Sequence, residues 1–422
     1  MSLQIVTLRA VEILDSRSRP TLSVTVGLSG GAVATAGVPS GASTGSGEAV
    51  ELRDLDPARY GGQGVRTAVG HVNGVIADAL RGREFADLAA VDGALIELDG
   101  TPDKSRLGAN AVIGVSMAVA RAAAVEAGVP LWRYLAPVGV APRLPVPHFN
   151  VLNGGAHAPN PLDFQEFMIA PLGAPDIAEA VRAGAEVYAA LRKRLRDAGH
   201  DTGLGDEGGF APALSRPEDA LDVIAQAIAD AGYPAGRDGV AIALDPAASE
   251  FRQKDGRYRV DGELLDSGDL IARYRRIVED YPVWSIEDGL GEDDREGWAR
   301  LTTDLGGHIQ LVGDDNFVTD PAVISAAVCD GIANASLIKP NQIGTVTETL
   351  QAVAVCRDVG YGAMVSHRSG ETEDSFIADF AVATGCGQLK SGAPARGERV
   401  AKYNRLVEIA ADNPDLPYGL GR

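Results

Sequence analysis

The chain is predicted to be an α/β protein in which a small N-terminal α+β domain precedes a (β/α)8-type barrel, and three observations carry that prediction. Its 422 residues exceed the roughly 250 that such a barrel needs by about one small domain. In the second half, from residue 283 onward, short apolar runs recur every 23 to 28 residues, the length of a strand, a loop and a helix. Each of those runs is followed at once by an ionisable residue.

Residues 1 to 30 read as strands. Leu22, Val24, Val26 and Leu28 alternate with small or polar residues before Gly30 and Gly31, which predicts a hairpin. From about Gln63 the spacing turns helical, most clearly over 108 to 128, where Gly128 and then Pro130 supply the stop. The stretch LAPVGVAPRLPVPHFN (135 to 150) is Pro-rich and without period, so the domains are expected at 1–138 and 139–422. Beyond it come VAIAL (240 to 244), VWSI (283 to 286), IQLVG (309 to 313), ASLI (335 to 338), AMVS (363 to 366) and GQL (387 to 389). Such runs alternating with helical stretches signal βα units in a parallel sheet, and their repetition favours closure into a barrel.

Composition narrows the function. With 45% hydrophobic and 23% charged residues the chain can bury a large core, which argues against disorder. A formal charge of −20 argues against nucleic acid as a partner, because that binding rests on a basic footprint. Cys329, Cys356 and Cys386 are widely separated and form no CxxC pair, which suggests neither a disulfide framework nor a zinc site and fits a reducing cytoplasm. The N-terminus has no signal pattern, and no apolar run is expected to reach the length that spans a bilayer, so no membrane partner is expected. Only six lysines (Lys104, Lys193, Lys254, Lys339, Lys390, Lys402) stand among 38 basic residues. Arginine cannot readily give up its proton and lysine can, so each lysine is a candidate acid or base.

The residues after the six runs are, in order, Asp245, Glu287, Asp314, Lys339, His367 and Lys390. In a barrel these positions share the C-terminal mouth. Singly, each has a plainer explanation: an Asp after a strand often caps a helix, a Lys there reaches for solvent, and a lone His is usually structural. That explanation would have to hold six times in order. Three carboxylates without His or Cys nearby are hard oxygen ligands suited to Mg²⁺. Lys339 is expected to have its pKa lowered by Lys390 and by metal, towards the range of a general base. A base beside Mg²⁺ suits removal of a proton next to a carboxylate, because the enediolate that forms must be held by fixed positive charge.

The motifs SGASTG (40 to 45), NGGAH (153 to 157), QEFM (165 to 168), GDEGGFAP (205 to 212), SIEDGL (285 to 290), LVGDD (311 to 315), IKPNQIGT (338 to 345), VSHRSGETED (365 to 374) and GQLKSGAPARGERVAKYN (387 to 404) resemble those of the enolase family over nearly the whole chain. A Lys or His base beside Mg²⁺ is the established pattern of that superfamily, so the pairing is matched here and not newly found. The resemblance implies a barrel of ββαα(βα)6 order, and an Mg²⁺-dependent lyase that interconverts 2-phosphoglycerate and phosphoenolpyruvate, a small anionic phosphoester. It implies Asp245, Glu287 and Asp314 as ligands of a first Mg²⁺, and Ser43 as a ligand of a second that arrives with substrate. Lys339 would be the base, with Glu207 the acid, working with Glu166. Arg368 and Ser369 would hold the phosphate, His367 and Lys390 would line the carboxylate side, and Gln165 and His157 would also meet substrate. His157 and Ser43 would come from mobile loops. Dimers, or assemblies of dimers, are the implied homo-oligomers.

Some positions depart from the family's pattern. Ser18 and Arg19 stand in place of Gly-Asn, Pro246 and Pro340 follow a proposed ligand and the proposed base, and Asn316 stands where an apolar residue is usual. Val11, Ala410 and Ala411 replace charged residues that pair across the family's dimer interface. Two other readings stay open on sequence alone. One is a relative resembling carboxyphosphonoenolpyruvate synthases, acting on an analogous phosphoester. The other is a non-catalytic binding paralogue.

Overall fold

The computed structural model describes residues 2–42 and 44–421, which leaves Ser43 outside the described residues. The N-terminal sheet runs β3-β2-β1-β4, from β1 (Leu3–Leu14), β2 (Pro20–Leu28), β3 (Val33–Gly37) and β4 (Glu84–Phe85). The hairpin expected at Gly30 and Gly31 joins β2 to β3. Leu22, Val24, Val26 and Leu28 are buried, as their alternation predicts, on the face that meets the helix Ala109–Glu126. Gly114 lets that helix lie close to the sheet, since a Cβ there would stand 2.7 Å from Val24 and 2.9 Å from Val38.

This helix corrects one expectation. At 18 residues and mean hydropathy 1.3 it is long and apolar enough to cross a membrane by length and composition. It is instead 83% buried within the protein, the core of the N-terminal domain, and its apolar character needs no lipid to explain it.

Eight strands close the barrel: β5 (Val146–Asn153), β6 (Glu166–Ala170), β7 (Ala241–Asp245) and, after a small hairpin of β8 (Tyr258–Val260) and β9 (Glu263–Leu265), β10 (Val283–Glu287), β11 (Gln310–Gly313), β12 (Ala335–Ile338), β13 (Gly362–Ser366) and β14 (Gln388–Lys390). The helices Ile177–Asp197 and Pro217–Asp230 lie between β6 and β7, so the order is ββαα(βα)6. Only β6 runs against its neighbours. The Pro-rich stretch read as the domain boundary runs into the barrel, since β5 begins at Val146 and contains Pro147. Val146 donates its N–H towards β14, at Gly387, so the next residue faces β6, where pairing starts only at Phe149. The missing N–H of Pro147 therefore costs no ladder bond.

The period of two explains how the charges converge. Ala241, Ala243 and Val312, Ala335, Leu337 fill the barrel's interior, and stepping on by two reaches Asp245, Asp314 and Lys339. None of Asp245, Glu287 and Asp314 caps a helix. That work falls to Asp176, Asp266, Asp294 and Asp320, whose side chains accept from helix-start N–H groups.

Candidate active site

At the mouth, Asp245, Glu287 and Lys390 end β7, β10 and β14, while Asp314, Lys339 and His367 follow β11, β12 and β13 by one residue. Asp245, Asp314, Lys339, His367 and Lys390 line one cleft. His157, Gln165, Glu166, Glu207, Arg368 and Ser369 line it too. Of the described residues expected in the site, Glu287 alone is not part of this lining; it is buried against Lys390.

The carboxylate wall is held by lysines. Lys390 Nζ donates to Asp245 Oδ2 at 2.9 Å and to Glu287 Oε1 at 2.8 Å, and lies 3.2 Å from Glu166 Oε2. Burial favours its neutral amine, but Asp245, Glu166 and Glu287 outweigh that and hold it protonated. Lys339 Nζ contacts Asp314 Oδ2, whose other oxygen accepts from Gln342 Nε2 at 2.9 Å. Among these side chains alone the lowering expected of Lys339 does not appear. Burial would lower its pKa, but the direct contact with Asp314 prevails and the pKa is raised. Arg368 and Lys390 act in the expected direction and are too weak to win.

Pro340 suits Lys339. It occupies the first position of the short helix Pro340–Ile343, where no N–H is needed, and keeps Lys339 extended at φ −124° and ψ 108°. Ser18, standing for a glycine, takes a positive φ of 59° in the turn between β1 and β2.

Carboxyl groups outnumber cations here. Burial, then Asp245, pushes Glu287 well above its usual pKa, and Glu287 Oε2 is buried without a hydrogen-bond partner among the described residues. Asp288, Asp314 and Asp315 offer oxygens within 4.8 Å of one another. Burial and Asp314 push Asp315 up to about 8. Asp288 serves the backbone, accepting from Asp314 N at 2.8 Å and Asp315 N at 3.0 Å, which aims the end of β11. An all-oxygen donor set, crowded, under-neutralised and with an orphaned buried oxygen, fits a hard divalent cation.

Glu166, next to Lys390, leads to Glu207 and His157, with His157 Nδ1 3.6 Å from an oxygen of each acid. Burial and the charge of Glu207 push Glu166 well above the usual carboxylate range. Burial pushes Glu207 up as well, but the His367 and His157 rings outweigh it and hold Glu207 well below. Asn150 Nδ2 also donates to it at 3.0 Å. Burial keeps both histidines from ionising, His367 being pushed down to about 4, so they offer Glu207 N–H dipoles more than full charge. The two environments thus push the coupled pair apart, Glu166 upwards and Glu207 downwards. Local glycines build this wall: a Cβ at Gly209 would strike Asn153, and one at Gly154 would strike Phe164 O.

On the third side, Arg368 forms a two-pronged ion pair with Glu48, at 2.9 and 3.0 Å, and Arg17 donates to Ser369 Oγ at 3.2 Å. Glu48, Arg17, Asp288, Asp315, Gln342 and Arg399 were not singled out from sequence. The acidic doublets in SIEDGL and LVGDD were a usable signal for two of them. Glu48 and Arg17 come from the N-terminal domain, which strand spacing in the barrel cannot reach.

Fold and site together define a barrel enzyme of the kind that binds a divalent cation among strand-end carboxylates and keeps a lysine beside it. Two family models match the chain: enolase, N-terminal domain over residues 5–135, and enolase, C-terminal TIM barrel domain over residues 141–415. An enolase of Rubrobacter xylanophilus is 56% identical over 408 residues, covering 96% of this chain and 94% of its own. One of Acidothermus cellulolyticus is 57% identical over 406 residues, with the same coverage. The chain belongs to the enolase family.

Proposed function

We propose that this protein reversibly dehydrates 2-phosphoglycerate to phosphoenolpyruvate, with Lys339 as the base and Glu207 and Glu166 as the acid pair. The observation that carries this is one cleft that holds Lys339 against Asp314 and, apart from that pair, a buried Glu–Glu–His cluster. Proton removal and hydroxide departure need such separate groups. Lys339 would take the proton next to the substrate carboxylate. The proton held between Glu166 and Glu207, with His157 beside both, would leave with the hydroxide. Arg368 and Ser369 would hold the phosphate, displacing or sharing the Glu48 contact; Lys390, His367 and Gln165 would orient the carboxylate end.

Asp245, Glu287 and Asp314 would hold one Mg²⁺, and Ser43 would contribute to a second that arrives with substrate. The cations would supply fixed positive charge for the negative charge that develops on the substrate carboxylate. Engaging Asp314 elsewhere would remove the contact that raises Lys339, and so free it to act as a base. The domain division after residue 138 is supported by the gap between the two matched segments. A cytoplasmic homo-oligomer remains part of this reading by family likeness.

The named relatives do not favour the phosphonate or the non-catalytic alternative. With 2-phosphoglycerate and Mg²⁺, the purified protein should generate the ultraviolet absorbance of phosphoenolpyruvate. No product from the folded, metal-loaded protein would overturn the proposal.

A further inference from the structure

Arg399 is fully buried on the helix Gly397–Asp412, beneath the catalytic cleft. Its stem passes where residue 392 must be small, since a Cβ at Gly392 would lie 2.8 Å from Arg399 Cδ. Its Nη1 stands 2.5 Å from His367 Nδ1 and donates to Arg368 O at 2.7 Å. Its Nη2 donates to Ser369 O at 2.6 Å and, at 3.3 Å, to Asp206 O and Ser16 Oγ. The guanidinium is thereby fixed against three backbone carbonyls and one imidazole nitrogen.

A guanidinium has donors and no acceptor, and does not lose its proton in proteins. The nitrogen facing it must accept. His367 Nδ1 therefore carries the lone pair, and the ring proton sits on Nε2. The other side of the ring agrees: Nε2 is 3.2 Å from Glu207 Oε2, an acceptor. That approach is too poorly aligned for a full hydrogen bond, so the Nε2–H is not committed to Glu207, and His367 lines the cleft. A second proton would have to enter on Nδ1, head-on against an N–H and beside a buried like charge. The charged groups that act on His367 are Glu207, Arg399 and Glu371, and burial is the largest influence on it.

We propose that Arg399 is a positioning residue that locks His367 in the neutral Nε2–H tautomer, so that the ring offers substrate a hydrogen-bond donor and serves as neither acid nor base. The consequence for catalysis rests on the reading above, in which His367 lines the substrate's carboxylate side. It removes His367 from the candidates for proton transfer. The proton inventory of the cleft then falls to Lys339 and the Glu166–Glu207 pair.

The test is nitrogen NMR of protein labelled with ¹⁵N-histidine, using His367→Gln to identify the His367 signals. The expected result is a pyridine-like Nδ1 and a protonated Nε2 that stay unchanged across the neutral range. A proton on Nδ1, or titration near the ordinary pKa of about 6.5, would overturn the proposal. Arg399→Met should let the tautomers mix and lower kcat by about 10²-fold or more, as misplacing a ring proton does elsewhere, with little change in KM. Arg399→Lys, still only a donor, should restore the wild-type tautomer and part of kcat. A tautomer unchanged in a folded Arg399→Met would also overturn it; should that variant not fold, the wild-type spectrum decides alone. If the wild-type protein forms no phosphoenolpyruvate, the functional reading fails while the spectrum still decides the tautomer.

Discussion

The two ends of the barrel interior are built on opposite principles. At the floor, where strands begin, Gln310 and Gln388 exchange amide hydrogen bonds at 2.8 and 2.9 Å, and that contact carries no charge. At the mouth, where strands end, Glu287, Asp314 and Lys390 are also buried and Lys339 partly so, all four ionisable, and Glu287 Oε2 has no partner among the described residues. Neutral groups can satisfy one another completely, whereas the mouth's acids cannot all be neutralised by two lysines. Unneutralised acids mark the end that awaits a ligand, and the Gln310–Gln388 pair shows that this barrel can satisfy buried polar side chains, although Trp284 Nε1 and His148 Nε2 have no partner among the described residues.

The comparison can be broken at the mouth first, where the effect is largest. Removal of Mg²⁺ with EDTA should abolish turnover and added Mg²⁺ should restore it, because the carboxylate wall is under-neutralised without a cation. Full activity in metal-free buffer would contradict the account. Next, Glu207→Gln should slow dehydration by about 10² to 10⁴ while the α-proton of 2-phosphoglycerate still exchanges in deuterated water. Equal loss of both steps would end the division of labour between the two walls.

The floor should respond differently. Gln388→Leu leaves the Gln310 amide buried and unpaired, which should cost about 1–3 kcal/mol of unfolding free energy in denaturant titrations with kcat little changed. Replacing both glutamines by Leu should cost less than that single change, since no polar group is then stranded. A large fall in kcat from either floor variant would blur the distinction between the two ends.

The regular half of the barrel was legible in the sequence because strand, loop and helix recur with one length, and because one ionisable residue closes each run. The irregular start was not. β5 carries Pro147, which reads as a boundary until its pairing partners are known, and β6 runs antiparallel with a buried sequence that has no period of its own. The site was legible for groups at strand ends and in motifs. It was not legible for Glu48 and Arg17, which reach the cleft from another domain, nor for Arg399, whose contact with His367 crosses 32 positions. The direction of the Lys339 shift was also out of reach. It depends on which oxygen Nζ touches, and Asp314 lies 25 residues away along the chain.

Everything proposed for the mouth turns on Lys339 as the base, and proton exchange reads that step without requiring turnover. Lys339→Ala should keep Mg²⁺ and substrate binding and lose both dehydration and α-proton exchange with solvent by at least about 10² to 10⁴. Exchange at a rate near that of the unaltered protein would show that another group removes the proton, and would contradict the account at its centre.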